Sequence, residues 1–417
     1  MADHFDLYLI LFAPLIVIFG SYTLIIVQLL AILLGGWGIF KYIDVRFQSP
    51  KTALAAMLFF YSFFGTLNAV AVAYHSSVVA ASMVPWLFYF VHRRKFIHAS
   101  LMLVFILIAK ENMGFWMFFI ASGCIIEYRK NKNITYFLIG AACFSAVYFY
   151  SVLHWAMPAF SNGKQSYQLS YSVLGSDLSA IILNIIESPV DTFKLLYTSH
   201  VESTYASKVK QTLHFTLLCS GLPLLILRPH FLWMLIPIYF QKLFHDDFLK
   251  WSIGFHYNIE FGTIMALGLF SIAGGMRTRI KKNALSILLV LLSIGTTISI
   301  MDNGDIFMKR SQLRFYKADH YKRIYNVKRA HEALKLIPEE AIVCAQPSFV
   351  PHLALRDKIY NFPFIQDAEY IVYSLLEDEN PFIEGKEMFI SITDSLKNTA
   401  QWEVIYEEQL TILKKKK

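Results

Sequence analysis

Apolar runs follow one another through residues 1–301, at roughly 22–42, 52–68, 75–91, 97–110, 113–127, 134–153, 213–227, 231–241, 259–276 and 284–301. Such runs read as membrane crossings, because a helix satisfies its own backbone in hydrocarbon while lipid accepts its side chains. The pattern predicts a polytopic α-helical membrane protein with about ten crossings. Composition agrees: 56% of the residues are hydrophobic and 16% charged, against about 25% charged in an ordinary soluble domain. Several runs are short. A helix of about 13 residues spans ~20 Å, against a hydrocarbon core of ~30 Å. Short helices of this kind are predicted to end at depth, inside protein or beside a wet cavity. Phe5–Phe19 is also apolar, and Pro14 within it predicts an interfacial or re-entrant piece.

Lys and Arg set the expected orientation. One set of loops carries Lys41, Arg46, Lys51, Arg93, Arg94, Lys95, Arg129, Lys130, Lys132, Arg228, Arg277, Arg279, Lys281 and Lys282. The alternate short loops carry only Lys110, Lys242 and Lys250. The positive-inside rule places the first set in the cytoplasm. The N-terminus, the turn at His75, the tip Lys110–Asn112, the loops 154–212 and 242–258, and everything after 301 are then expected outside. An outside N-terminus with no crossing before it reads as a chain that starts after a first transmembrane helix. The net charge of +8 is spread over loops; it reads as topology and excludes a nucleic-acid partner. No cofactor is expected; a divalent metal stays open as an alternative that no Cys or His spacing supports. The four cysteines read as small apolar residues with no disulfide framework.

The expected outer face collects the chemistry. Lys110-Glu111-Asn112 lies between two apolar runs, where a lysine and a carboxylate are costly unless paired or wet. A plain reading is a hairpin tip whose charges neutralise each other. Asp3, His4 and Asp6 precede the first run, His75 sits in the second outer turn, and His245, Asp246, Asp247, His256 and Glu260 surround the fourth. Each also has a bland reading as a tail, a solvated turn or an interfacial anchor. Taken together they predict one outward cavity lined by His4, His75, Lys110, Glu111 and His256.

In the long loop, Leu178–Ile186 and Val190–Tyr197 are short apolar stretches split by Glu187-Ser188-Pro189. They read as helices in the membrane interface, either shaping a groove for a lipid-linked substrate or covering the bundle. After residue 301 charge rises. Tyr321–Leu336 and Glu387–Lys397 have helical spacing, Ala341–Ala345, Tyr370–Ser374 and Trp402–Tyr406 read as strands, and Leu410–Leu413 closes a final hairpin. The expected domains are therefore 1–301, a transmembrane part with its interfacial loop 154–212, and 302–417, a small α/β domain outside the membrane. That domain has no GxGxxG or P-loop.

Nearly end to end, the chain resembles the prokaryotic predicted membrane proteins filed as domain of unknown function twenty-seventy-nine, grouped with the GT-C membrane glycosyltransferases. The resemblance rests on order and spacing: His4-Phe5, Leu11-Phe12-Ala13-Pro14, Leu24 to Gln28-Leu29, Tyr74-His75, Lys110-Glu111-Asn112, Leu235-Ile236-Pro237, His256-Tyr257, Ile337 to Val343, and the ending Glu408–Lys415. The chain departs from the family in starting after the first helix and acidic loop, and in carrying Asn112 where the family has Asp.

The resemblance implies a multi-pass protein of the cytoplasmic (inner) membrane with an extracytoplasmic C-terminal domain. It implies transfer of a sugar from a polyprenyl-phosphate donor at the outer face. Its partners are then membrane lipid and a polyprenyl-phosphate-linked sugar. Asp3, Asp6 and Glu111 are the candidate catalytic carboxylates. His4, His75, Lys110 and His256 are candidate partners of the donor phosphate. Broken helices with buried charge also suit a transporter or flippase of a lipid-linked or anionic substrate, and a catalytically degenerate scaffold is a further reading.

Overall fold

The computed structural model describes residues 4–161, 170–201, 204–304, 309–377 and 382–416. The chain divides into two compact units, one of 1–11 with 25–320 and one of 12–24 with 321–417.

The first unit is helical, and every apolar run of the sequence carries a helix. Thr23–Phe47, Pro50–Ser62, Phe64–Ala71, Ser76–His92, Phe96–Leu107, Met113–Tyr128, Lys132–Ser151, Thr204–Cys219, Pro229–Leu243, Ile259–Gly274 and Arg279–Asn303 are the principal ones. Ile259–Gly274 is the centre of the bundle, with every residue but Glu260 buried. Gly262 lets Phe63 approach it, and Gly268 admits Leu225 and Phe231.

About ten crossings do not follow from these helices. Among the described residues three are long and apolar enough to cross a bilayer, Tyr8–Phe47, Lys132–Phe160 and Arg279–Asn303, or up to four if the bent pair Pro50–Ser62 and Phe64–Ala71 is one span. Ser76–His92, Phe96–Leu107 and Met113–Tyr128 are shorter apolar helices, and Phe96–Leu107 with 12 residues is too short to span hydrocarbon alone. The long helices turn Leu30, Leu33, Leu34, Val147, Leu288 and Leu291 outward, which is the surface a membrane protein offers to lipid. The stretch is interrupted near Pro14: the 3-10 segments Ala13–Leu15 and Gly20–Tyr22 separate the short helices Tyr8–Phe12 and Ile16–Phe19 from Thr23–Phe47, although Tyr8–Phe47 is long and apolar enough as a whole to make one candidate span of 40 residues. Pro14 stands in the first turn of the 3-10 segment Ala13–Leu15, where its missing N–H has no intrahelical partner to lose. The run at 213–227 instead forms a helix that begins at Thr204 and stops before Gly221, whose φ of 102° belongs to the left-handed region. The two loop stretches form the helices Leu178–Glu187, capped by the Asp177 carboxylate, and Pro189–Leu195. Of the cysteines, Cys143 is exposed and Cys124 and Cys344 are buried.

Residues 309–320 pack onto this unit. Arg310 Nη2 donates to the Gly304 carbonyl at 3.1 Å, and Tyr316 Oη donates to the Ile298 carbonyl at 3.4 Å.

The second unit holds a five-stranded sheet: β1 (Val343–Ala345), β2 (Ile359–Asn361), β3 (Tyr370–Tyr373), β4 (Trp402–Glu407) and β5 (Thr411–Lys415), in the order β2-β1-β3-β5-β4. β1 pairs in parallel with β2 and β3, and β5 pairs antiparallel with β3 and β4. Alternate residues face opposite sides. Val343, Val372 and Ile412 share a core with Ala330 and Leu334 of helix Val327–Leu334. Cys344, Ile371 and Leu413 share the other core with Phe389 of helix Lys386–Asn398. The first of these helices is shorter than the sequence spacing suggests because Asn326 caps it, accepting from Arg329 N at 3.3 Å. Strand β2 has three residues and no legible alternation.

Candidate functional site

The polar tip Lys110–Asn112 is a tight turn between helices Phe96–Leu107 and Met113–Tyr128, closed by Met113 N donating to the Lys110 carbonyl at 3.1 Å. Glu111 is turned into the protein and is 1% exposed. Its carboxylate accepts from Phe5 N at 3.1 Å and pairs with His4 Nδ1 at 3.0 Å. The N-terminal segment is held there by two further bonds, Leu7 N to the Ile108 carbonyl at 3.0 Å and Tyr8 Oη to the Phe105 carbonyl at 2.8 Å. Burial pushes the Glu111 carboxyl up, but the His4 hydrogen bond and the Lys110 charge outweigh it and leave the group below its ordinary value. Glu111 is therefore an ionised carboxylate that holds the His4 ring.

His4, Lys110 and Glu111 line a cavity of about 360 Å³ together with Lys242, His256 and Glu260. His75 does not line it directly. Its ring stacks on His256, with centroids 3.3 Å apart and planes inclined by 22°. Burial lowers both imidazoles, and for His256 the neighbouring His75, Lys110, Lys242 and Lys250 lower it further. Both rings are thus neutral. Asp6 is not among the lining residues: its carboxylate accepts from Tyr8 N at 2.9 Å, and burial raises it in spite of that bond. Asp3 lies outside the described residues.

Long-range bonds set this arrangement. Gln28, in the apolar helix Thr23–Phe47, donates to the Ala69 carbonyl at 2.9 Å and accepts from His75 N at 2.7 Å, so it pins the turn that presents His75. Gly65 lets helix Phe64–Ala71 meet the backbone of Asn258, an approach that a Cβ would block. Asn68 donates to the Ile253 carbonyl, and Asn258 Nδ2 donates to the Ser252 carbonyl at 2.9 Å. These bonds fix the loop that carries His256.

Several site residues carried no role in the sequence reading. Lys242 is buried, 3.3 Å from Glu260 Oε2 and 3.4 Å from Asn258 Oδ1. Asn112 Nδ2 donates to Gln241 Oε1 at 2.6 Å. Lys250 Nζ lies 2.7 Å from His245 Nε2, and burial together with Lys250 holds His245 down to about 4. The signal available for Gln28, Gln241 and Lys242 was the same one used for Lys110: a polar side chain inside or ending an apolar run. Among the described residues no group of His, Cys, Asp and Glu is arranged to hold a metal ion.

The arrangement offers lysines and imidazoles around a space large enough for a phosphate and a sugar, with one imidazole held by a buried carboxylate. The family described as Predicted membrane protein (DUF2079) matches residues 1–407. No curated protein matches the chain.

Proposed function

The chain belongs to the DUF2079 family of predicted membrane proteins, and from its cavity we propose that it transfers a sugar from a polyprenyl-phosphate donor, in the manner of GT-C enzymes, at the outer face of the cytoplasmic membrane. The observation that carries this reading is the His4–Glu111 pair opening into the same cavity as Lys110, Lys242 and Lys250. A carboxylate on Nδ1 orients an imidazole and leaves Nε2 as the nitrogen that takes a proton. Glu111 is 1% exposed while the His4 side chain is 40% exposed, so His4 acts as the base and Glu111 positions it. The acceptor hydroxyl gives its proton to His4 and its oxygen attacks the anomeric carbon of the donor. The bond from that carbon to the phosphate oxygen breaks, and polyprenyl phosphate leaves as an anion. Lys110 and Lys250 balance the charge that grows on that oxygen, which is strongest in a partly dehydrated site. The apolar side chains of Phe115, Phe149 and Ile181 in the same cavity suit the first isoprene units.

Membranes holding the wild-type chain, Lys110→Met or His4→Gln test the reading through chromatography of lipid-linked sugar pools. Wild type shifts the pool relative to membranes without the protein. Lys110→Met loses the shift while thermal unfolding is unchanged, and Lys110→Arg restores part of it. An unshifted wild-type pool, or full activity in Lys110→Met, refutes it.

A further inference from the structure

Helix Met113–Tyr128 has a polar cluster at each end. Glu111 stands just before its first residue and Glu127 is its penultimate one, a separation of ~24 Å along a helix of this length. The second cluster is independent of the cavity described above. Glu127 is contacted by Arg46, by Arg228 Nη1 at 3.1 Å and by His230 Nε2 at 2.6 Å. These side chains come from three helix ends that the sequence separates by long stretches. Glu127, Arg228 and His230 line a second cavity, of about 400 Å³, together with Arg129, Lys130 and Asn131.

Charge in this cavity is unbalanced. Arg129, Lys130 and Arg228 face it against the single carboxylate of Glu127, and that carboxylate is already engaged with Arg46, Arg228 and His230. Arg129 and Lys130 are exposed and make no ion pair among the described residues. The cavity also adjoins the start of helix Lys132–Ser151, whose first-turn amides add positive potential. Its edge is apolar: Ile126 is exposed at the rim, and Ile226 and Leu227, also exposed, immediately precede Arg228. A ligand that matches this surface carries a phosphate ester at one end and hydrocarbon at the other.

We propose that this cavity binds the headgroup of an anionic phospholipid, with the phosphate between Arg129, Lys130 and Arg228 and the acyl chains along Ile126, Ile226 and Leu227. The basic-loop end of a membrane bundle is where anionic lipid is met, and each Lys or Arg near such a surface strengthens binding about five-fold. Glu127 holds Arg228 in place at the cavity.

The purified full chain in detergent is titrated with phosphatidylglycerol or with phosphatidylcholine of the same acyl length, and bound lipid is counted by native mass spectrometry. Wild type retains phosphatidylglycerol in preference. Arg129→Gln/Lys130→Gln weakens that binding roughly twenty-five-fold and leaves phosphatidylcholine binding unchanged. Both side chains are exposed, so the variant keeps the fold, which an unchanged thermal transition verifies. Equal retention of the two lipids by wild type, or unchanged phosphatidylglycerol binding in the variant, overturns the site. Displacement of phosphatidylglycerol by an equal concentration of glycerol 3-phosphate overturns the lipid assignment in favour of a soluble phosphate.

Discussion

Glu111→Gln keeps the shape of the side chain and removes its charge. The carboxylate accepts from Phe5 N at 3.1 Å on one oxygen and pairs with His4 at 3.0 Å on the other. Glutamine has one oxygen, so one of these donors then faces an amide N–H₂. A hydrogen bond to a charged group contributes about 1.5–3 kcal/mol and a neutral one about 1 kcal/mol. The bond from Phe5 N is buried and keeps its full value. The bond to His4, whose side chain is 40% exposed, is discounted for solvent. Losing one bond and neutralising the other therefore destabilises the protein by about 2–3 kcal/mol. Reversible unfolding by dodecyl sulfate titration in mixed micelles measures it. A double-mutant cycle with His4→Ala then isolates the pair, with an expected coupling of about 1 kcal/mol. A loss below about 0.5 kcal/mol for Glu111→Gln, or additivity within about 0.3 kcal/mol in the cycle, refutes the picture of a buried carboxylate anchoring His4 and the N-terminal segment.

Lys242→Met strands Glu260 in the bundle and should cost about 3–5 kcal/mol, whereas Lys242→Met/Glu260→Gln should recover most of it; the same titration reads both, and no recovery in the double variant would contradict a buried ion pair. Acid should destabilise the protein between pH 6.5 and about 4: His245 is held down to about 4 from 6.5, so over that window the folded chain binds fewer protons than the unfolded one and loses stability as pH falls. His75 and His256 are lowered in the same direction, and His245→Asn should flatten the slope of melting temperature against pH. In a chain freed of its native cysteines, Arg94→Cys, Lys130→Cys and Ile280→Cys should be shielded from an impermeant thiol reagent in intact cells, while Asp247→Cys and Tyr360→Cys should react; the reverse pattern would invert the expected orientation.

Local rules carried much of the architecture. Apolar runs mark where helices form, because burying or lipid-exposing a continuous apolar stretch needs only residues adjacent in the chain. Caps are equally local: Asp177 opens Leu178–Glu187 and Asn131 opens Lys132–Ser151, each from its own side chain. In the second unit the strands Val343–Ala345 and Tyr370–Tyr373, buried along their whole length, were legible as short apolar runs. The location of cost was legible as well: a lysine and a carboxylate between apolar helices demand partners.

The choice of partner was not, because it depends on which distant segments meet. His4 and Glu111 are 107 positions apart, and Asn112 and Gln241 are 129 apart. Gln28 holds the His75 turn across 47 positions, with nothing local to announce it. Strand order is likewise a tertiary decision: β2 joins the outer side of β1 while β3 takes the inner side, and β5 inserts between β3 and β4. So too is the use of Glu127, which reads as the end of an apolar run until Arg46 and Arg228, from helices far along the chain, close around it. Sequence thus determined which segments are helix, strand and polar turn, since propensity, periodicity and capping act within a few residues. Packing decided which charges share a cavity, since the pairing that makes a buried charge affordable is made through space.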